Sequence, residues 1–217
     1  MSHISIAIDG PAAAGKSTIA KRVAKKLEYL YIDTGAMYRA VTLYVLEHGD
    51  EIIQDISNHI HITFGTSDEV YLNDKDVSKE IRSPEVTNNV SRIAAIGEVR
   101  TYLVDMQREI SRMSSVVMDG RDIGTTVLPD AEVKIFMQAS PKVRAERRLI
   151  EETARGNNID LETLTAEIIR RDEIDSTRKI SPLVKAEDAV LLDTSHLSIE
   201  EAEAKIIQLV EDKLEVQ

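Results

Sequence analysis

Residues 3–27 read HISIAIDGPAAAGKSTIAKRVAKKL, and along that stretch the hydrophobic period changes from that of a strand to that of a helix. His3 to Ile8 is short, β-branched and apolar and runs into Gly10-Pro11, the pattern of a buried strand entering a turn. From Ser17 to Leu27, the apolar residues Ile19, Ala20, Val23, Ala24 and Leu27 recur at helical spacing, with Lys21, Arg22, Lys25 and Lys26 mostly on the other face. Between the two lies Gly10-Pro11-Ala12-Ala13-Ala14-Gly15-Lys16-Ser17, which satisfies G-x-x-x-x-G-K-[ST] in the strand–loop–helix setting that motif requires. Gly10 and Gly15 permit unusual backbone angles and close approach, so successive N–H groups can face one cavity at the positive end of the helix. Phosphate oxygens fit such a cavity. Lys16 is expected to reach β- and γ-phosphates, Ser17 to coordinate a Mg²⁺ that bridges them, and Thr18 to contact the α-phosphate.

Outward from this loop the strand–helix rhythm continues. Tyr29 to Ile32 reads as a strand ending in Asp33-Thr34-Gly35, and Ala36 to Leu46 as a helix stopped near Gly49. Residues 60–77, IHITFGTSDEVYLNDKDV, instead alternate apolar and polar around Gly65-Thr66-Ser67-Asp68, predicting an antiparallel hairpin. Residues of about 50–100 are therefore expected to be an insertion, ending in a helix that starts near Pro84. Val116 to Met118 and Val133 to Met137 are expected to be central parallel strands. Pro141 to Glu152 and Leu161 to Ile174 predict two helices broken at Arg155-Gly156-Asn157-Asn158, a candidate flap. Ala189 to Leu192 is the last expected strand, and Ser198 with Glu201 has capping-box spacing at the start of the last helix. The sum is an α/β fold, a doubly wound five-stranded parallel sheet whose ligands sit beyond the carboxyl ends of the strands. One domain is expected, with a core of about 1–49, 101–140 and 185–217, the insertion at 50–100 and the helical flap at 141–184.

Composition narrows the function. The 217 residues are 42% hydrophobic and 30% charged, ordinary for a globular protein, and carry a net charge of -11. Such a chain repels polyanions, so nucleic acid is not an expected partner and phosphate affinity must come from local arginines. With no cysteine there is neither a disulfide framework nor a thiolate zinc site. MSHISIAIDG has no basic region leading into an apolar signal core, and no apolar run approaches the ~20 residues of a membrane span, so a cytoplasmic protein is expected. His59 and His61, with i,i+2 spacing in an alternating strand, read as ordinary side chains rather than metal ligands. Asn73-Asp74-Lys75-Asp76 reads as a turn.

The loop alone is shared by GTPases, motor ATPases and small-molecule kinases. A second set of polar residues points to an acceptor. Arg39, in Asp33-Thr34-Gly35-Ala36-Met37-Tyr38-Arg39, follows a strand end and suits a phosphate. Asp119-Gly120-Arg121-Asp122 follows another, offering a carboxylate near Mg²⁺ and a guanidinium for bidentate phosphate binding. The flap holds Arg144, Arg147, Arg148, Arg155, Arg170, Arg171 and Arg178, which can stabilise the spread charge of a transferring phosphoryl group and exclude water. Ordinary i,i+4 ion pairs, such as Glu167 with Arg171, account for part of that cluster.

GPAAAGKST at 10–18, DTGAMYR at 33–39, DVSKEIRSPEV at 76–86, MDGRDIGT at 118–125, AERR at 145–148 and RRDEIDSTRKISPL at 170–183 together resemble bacterial cytidylate kinases, with no departure at these motifs. The resemblance spans nearly the whole chain. It implies a P-loop sheet of five parallel strands, a monophosphate-binding insertion and a mobile lid, with phosphoryl transfer from ATP to CMP or dCMP. It further implies that Ser91, Arg100 and Asp122 read cytosine, and that Arg171 and Asp175 contact the ribose side. Arg39, Arg121 and Arg178 would bind the acceptor phosphate, and Thr34 stands where the family also uses a small hydroxyl. Lys16, Arg121 and Arg178 are then the expected catalytic side chains, Mg²⁺ the expected ion, and a monomer the expected state. The open alternatives are a kinase for UMP or dTMP and a nucleotide-dependent switch with no small-molecule acceptor.

Overall fold

The computed structural model describes residues 3–65, 69–154 and 156–215. The chain divides into two compact units, Met1–Ile32 with Ser111–Gln217, and Asp33–Ile110.

The first unit is built on a five-stranded parallel sheet. Its strands are β1 (Ser5–Asp9), β2 (Leu30–Asp33), β6 (Val116–Gly120), β7 (Val133–Gln138) and β8 (Val190–Asp193), in the order β2-β6-β1-β7-β8. The strand that opens the glycine loop thus lies in the middle. Ile8 stands beside Asp119 on one side and Ile135 on the other, so β1 and β6 end level and β7 runs on past them to Gln138. Their residues are buried nearly throughout, which explains why these strands read as continuous apolar runs rather than alternating ones. Helix α1 (Lys16–Leu27) presents Ile19, Ala20, Val23 and Ala24 to Ile6, Ile8, Ile135 and Met137. Helix α7 (Ile199–Glu215) joins the same cluster with Ala202, Ile206, Ile207 and Val210. Its capping box is formed: Ser198 N donates to Glu201 Oε2 at 2.8 Å, and Glu201 N to Ser198 Oγ at 3.2 Å. Helices α5 (Pro141–Ala154) and α6 (Leu161–Thr177) pack on each other through a small core of Ala145, Leu164 and Ile168. Both run a few residues beyond the expected ends, as helix termini commonly do. Of the break between them, Arg155 lies outside the described residues.

The second unit contains the expected insertion. It starts with α2 (Thr34–His48), capped by Asp33, whose Oδ1 accepts from Ala36 N at 2.8 Å. A 3-10 stretch (Asp50–Asn58) leads to three antiparallel strands, β3 (Ile62–Phe64), β4 (Val70–Leu72) and β5 (Lys75–Asp76). The single hairpin expected over 60–77 is therefore a three-stranded meander. Asn73 and Asp74 make its second turn with φ of 50° and 64°, the left-handed pair of a tight hairpin. At the first turn, Thr66, Ser67 and Asp68 lie outside the described residues. Helix α3 (Pro84–Ile93) begins with proline at its first position as expected. A further helix, α4 (Gly97–Met113), buries Val99, Leu103 and Val104 at helical spacing.

Ile206 is fully buried where α7 meets the sheet. Ile206→Ala is expected to destabilise the chain by about 2–5 kcal/mol, seen as a lower urea midpoint at unchanged slope.

Candidate active site

The glycine loop is wedged over the neighbouring strand. A Cβ on Gly10, whose φ is 150°, would sit 2.0 Å from the Met137 carbonyl oxygen, so only glycine lets β1 turn out of the sheet here. Gly15, at φ 87°, occupies the N-cap of α1 and gives the helix no side-chain cap. The first N–H groups of α1 are consequently open to an anion, and the helix dipole adds to their pull. Lys16 is buried and donates from Nζ to the Pro11 carbonyl oxygen at 2.7 Å, folding back on its own loop. Burial and then the Arg121 guanidinium push its ammonium down to about 7, against the opposing pull of Asp119, Asp9 and Asp175.

Ser17 follows. Its Oγ donates to Asp119 Oδ2 at 2.8 Å, and Tyr31 Oη donates to Asp119 Oδ1 at the same distance. These hydroxyl and carboxylate oxygens are the hard donors that Mg²⁺ prefers. Among the described residues no group of three or more His, Cys, Asp or Glu side chains could hold a metal. The remaining ligands for an ion at Ser17 and Asp119 would thus be phosphate oxygens and water, the usual arrangement for Mg²⁺. His59 follows the 3-10 stretch rather than standing in a strand, and its ring lies 3.1 Å from Asp55.

Asp9, the last residue of β1, is buried with its Oδ1 and Oδ2 accepting from Ile123 N and Gly124 N, each at 2.8 Å. Burial nevertheless raises its carboxyl to about 6, the two N–H donors opposing that rise and Asp122 adding to it.

The flap arginines divide by role. Arg144 donates to the Ala12 carbonyl oxygen at 2.9 Å and pairs with Asp172 at 2.6 Å, while Asp172 Oδ1 accepts from Ala12 N at 3.3 Å. Arg147 reaches the Ala14 carbonyl oxygen at 3.4 Å and that of Thr194 at 2.6 Å. These two arginines brace the loop's backbone. Arg148 pairs with Glu151 and Glu152 on its own helix. The i,i+4 pair of Glu167 with Arg171 is not formed; Arg171 is half-buried, and its buried Nε has no hydrogen-bond partner. Burial, then Arg121, lower the Arg171 guanidinium to about 10.

Arg121, Asp122, Arg171, Asp175 and Arg178 do come together within the first unit. Arg121 Nε donates to Asp175 Oδ2 at 2.9 Å, and Arg178 Nη2 to Asp122 Oδ1 at 3.2 Å. Burial alone would raise the Asp175 carboxyl, but Arg121, Arg171 and Arg178 hold it below the usual carboxylate range. In the second unit, Arg39 donates to Thr87 Oγ1 at 2.9 Å and to the Ile81 carbonyl oxygen at 3.3 Å, which fixes it between α2 and α3. Arg100 lies buried over the Tyr38 ring, 5.5 Å from its centroid, and donates to the Ala94 carbonyl oxygen at 3.2 Å. Thr34 and Ser91 are buried in the same unit.

Sequence reasoning missed Tyr31, Asp9, Asp172 and Thr194 as parts of this machinery. A signal existed for Asp9, an acid ending an apolar strand directly before the glycine loop. Thr194 and Tyr31 carried none, since their partners are far along the chain.

A central parallel strand opening into G-x-x-x-x-G-K-[ST], an uncapped helix start and a Ser–Asp oxygen pair define a P-loop nucleotide-binding α/β protein. Solved structures of an uncharacterized protein from Eubacterium ventriosum (12% identity, TM-score 0.55, 97% of this chain and 99% of that one) and of a Thermus thermophilus protein (15%, 0.51, 99% of each) share the fold. The family model for cytidylate kinase matches residues 6–212. This chain is 53% identical over 222 residues to a cytidylate kinase of Leuconostoc mesenteroides, covering 99% of each, and 54% identical over 216 residues to one of Bacillus cereus, covering 96% of each. The chain belongs to the cytidylate kinase family.

Two outcomes are expected from the loop geometry. Gly10→Ala, forced against the Met137 carbonyl, costs at least the ~1–3 kcal/mol of an overpacked site and weakens ATP binding, measurable by urea unfolding and calorimetric titration. The native Asp9 carboxyl holds its proton up to about pH 6, whereas the unfolded one releases it near 3.8. The native state therefore binds more protons in that window, and this residue's contribution to stability falls as pH rises through it and is level above. Wild type should lose stability relative to Asp9→Asn between pH 4 and 6, and parallel curves would show the shift to be absent.

Proposed function

We infer that this chain is an ATP-dependent kinase that moves the γ-phosphoryl group of ATP to CMP or dCMP, giving ADP and CDP or dCDP. The observation that carries the reading is the preformed phosphate loop with its Ser17–Asp119 pair, set in a chain that matches cytidylate kinases along almost its whole length. The donor's phosphates lie against the loop Gly10, Pro11, Ala12, Ala13, Ala14 and Gly15 and the helix start Lys16, Ser17 and Thr18, taking backbone N–H groups other than those of Pro11, which has none, and Ala12, which donates to Asp172. Lys16 exchanges the Pro11 carbonyl for β- and γ-phosphate oxygens, whose charge restores its proton. Mg²⁺, held by Ser17 and Asp119, would neutralise charge on those oxygens.

An oxygen of the acceptor phosphate forms the new bond to the γ-phosphorus as the bond to the β-phosphate oxygen breaks. No strong side-chain base is needed, because that oxygen is already anionic. The chain's contribution is alignment and charge stabilisation. Arg121 and Arg178, with Arg39, bind the acceptor phosphate; the paired carboxylates Asp175 and Asp122 hold the first two extended and partly neutralised beforehand. Ser91, Arg100 and Asp122 read the cytosine edge, which offers two acceptors and an amino donor, and Arg171 and Asp175 bind the ribose side. Uracil inverts donor and acceptor at two positions and would leave buried polar groups unpaired. In this reading residues of about 50–100 are the monophosphate-binding insertion, about 141–184 the lid, and 1–49, 101–140 and 185–217 the core of one kinase domain. The net charge of -11 supports a protein that does not bind nucleic acid, and a cytoplasmic monomer is proposed. Among the described residues no helix is long and apolar enough to cross a membrane.

A coupled ADP-release assay with ATP and Mg²⁺ should be slow until CMP or dCMP is added. Faster turnover with UMP or dTMP would sink the specificity, and no acceleration by any monophosphate would sink the kinase reading. Lys16→Ala should abolish most turnover, and Arg121→Ala should weaken CMP binding by more than ~1.5 kcal/mol, the lower range for hydrogen bonds to charged groups. Unchanged steady-state constants would refute those two roles.

A further inference from the structure

We propose that Asp9 is a positioning residue for phosphoryl transfer, its carboxylate tying the strand that opens the donor loop to the segment that carries Arg121 and Asp122. The backbone ladder joins β1 to β6 only as far as Asp9 beside Gly120. Beyond that point both chains leave the sheet, one as the glycine loop and the other as Arg121-Asp122, followed by a short π turn over Ile123–Val127. The Asp9 carboxylate spans the gap, one oxygen on each of the first two N–H groups of that turn, both at 2.8 Å. Charge makes each of these bonds stronger than a neutral one, and two together fix direction as well as distance.

The contact is built closely on its far side too. A Cβ on Gly124 would lie 3.1 Å from Lys134 Cδ and 3.4 Å from Asp9 Oδ2, so a side chain there would press on Lys134 and touch the carboxylate. Lys134 cannot easily yield, because its Nζ is held by both Asp188 oxygens, at 3.0 and 2.8 Å, and by the Pro129 carbonyl. Burial holds the Asp9 carboxyl up near 6 despite its two donors, so keeping an ion here costs stability near neutral pH. A costly buried charge joining two active-site loops, with no atom offered to a substrate, is what alignment requires. A displacement of about 1 Å between reacting groups can lower turnover about a hundredfold.

Asn has one acceptor where the carboxylate has two, and its NH₂ must oppose one of the N–H donors. Asp9→Asn should therefore lower kcat more than about tenfold while the Kd for ATP, measured by calorimetry without acceptor, changes less than about threefold. Gly124→Ala should act through the same contact, so the double variant should be little slower than the slower single one. Hydrogen exchange on the wild-type enzyme supplies a readout that does not depend on any variant folding: the Ile123 and Gly124 amides should be strongly protected. A folded Asp9→Asn enzyme with kcat within threefold of wild type, additive effects in the double variant, ATP affinity lost in step with kcat, or rapid exchange at those two amides would each overturn the proposal. The inference rests on the kinase reading, which wild-type turnover with CMP tests by itself; only the variants' departure from that rate bears on Asp9.

Discussion

The Gly10 backbone passes so close to the Met137 carbonyl that no side chain fits between them, and the rest of the site depends on that approach. It lets β1 turn abruptly at the centre of the sheet, so that α1 starts directly above the strand ends. The uncapped N–H groups of α1 then face the same edge as the ends of β6 and β7. Ser17 meets Asp119 because Ile8 and Asp119 are neighbours in the ladder. Arg144 and Arg147 hold the loop from outside by the carbonyl oxygens of Ala12 and Ala14, and Asp172 takes the Ala12 N–H.

Around that loop, a chain of net charge -11 gathers buried cations. Arg121, Arg178 and Arg144 are each matched by an aspartate, and such buried pairs contribute little net stability because desolvation offsets attraction. Lys16 and Arg171 are not fully compensated, and both are held below their ordinary values by burial and by neighbouring Arg121. Uncompensated buried cations of this kind cost stability, the trade of stability for function expected at a binding site.

Much of the fold was legible because it follows local rules. The change of period across residues 3–27, the Asp33 and Ser198 caps, Pro84 at a helix start and Asn73-Asp74 in a turn all act within a few residues. The meander was harder, since its three strands are only two or three residues long and their turns decide the pairing. The flap arginines were legible as a cluster and not as individuals. Arg144, Arg147, Arg148 and Arg171 lie within two successive helices, yet one side of α5 grips the glycine loop while Arg148 pairs along its own helix. Periodicity states which residues share a face and is silent about what that face meets.

By itself, the sequence determined that a phosphate-cradling loop stands between a buried strand and a helix, because glycine conformational freedom, helix polarity and hydrophobic period are all encoded within that stretch. Its motifs, in order and spacing, also determined the family. Only the tertiary structure decided that Ser17 shares Asp119 with Tyr31, that Asp9 holds the turn after Asp122, and that Arg121 and Arg178 are matched to Asp175 and Asp122. Those partners lie far apart in the chain and meet through strand order β2-β6-β1-β7-β8 and its register. That order arises from burying both faces of a sheet in one packing solution, a condition on the whole chain that no local pattern carries.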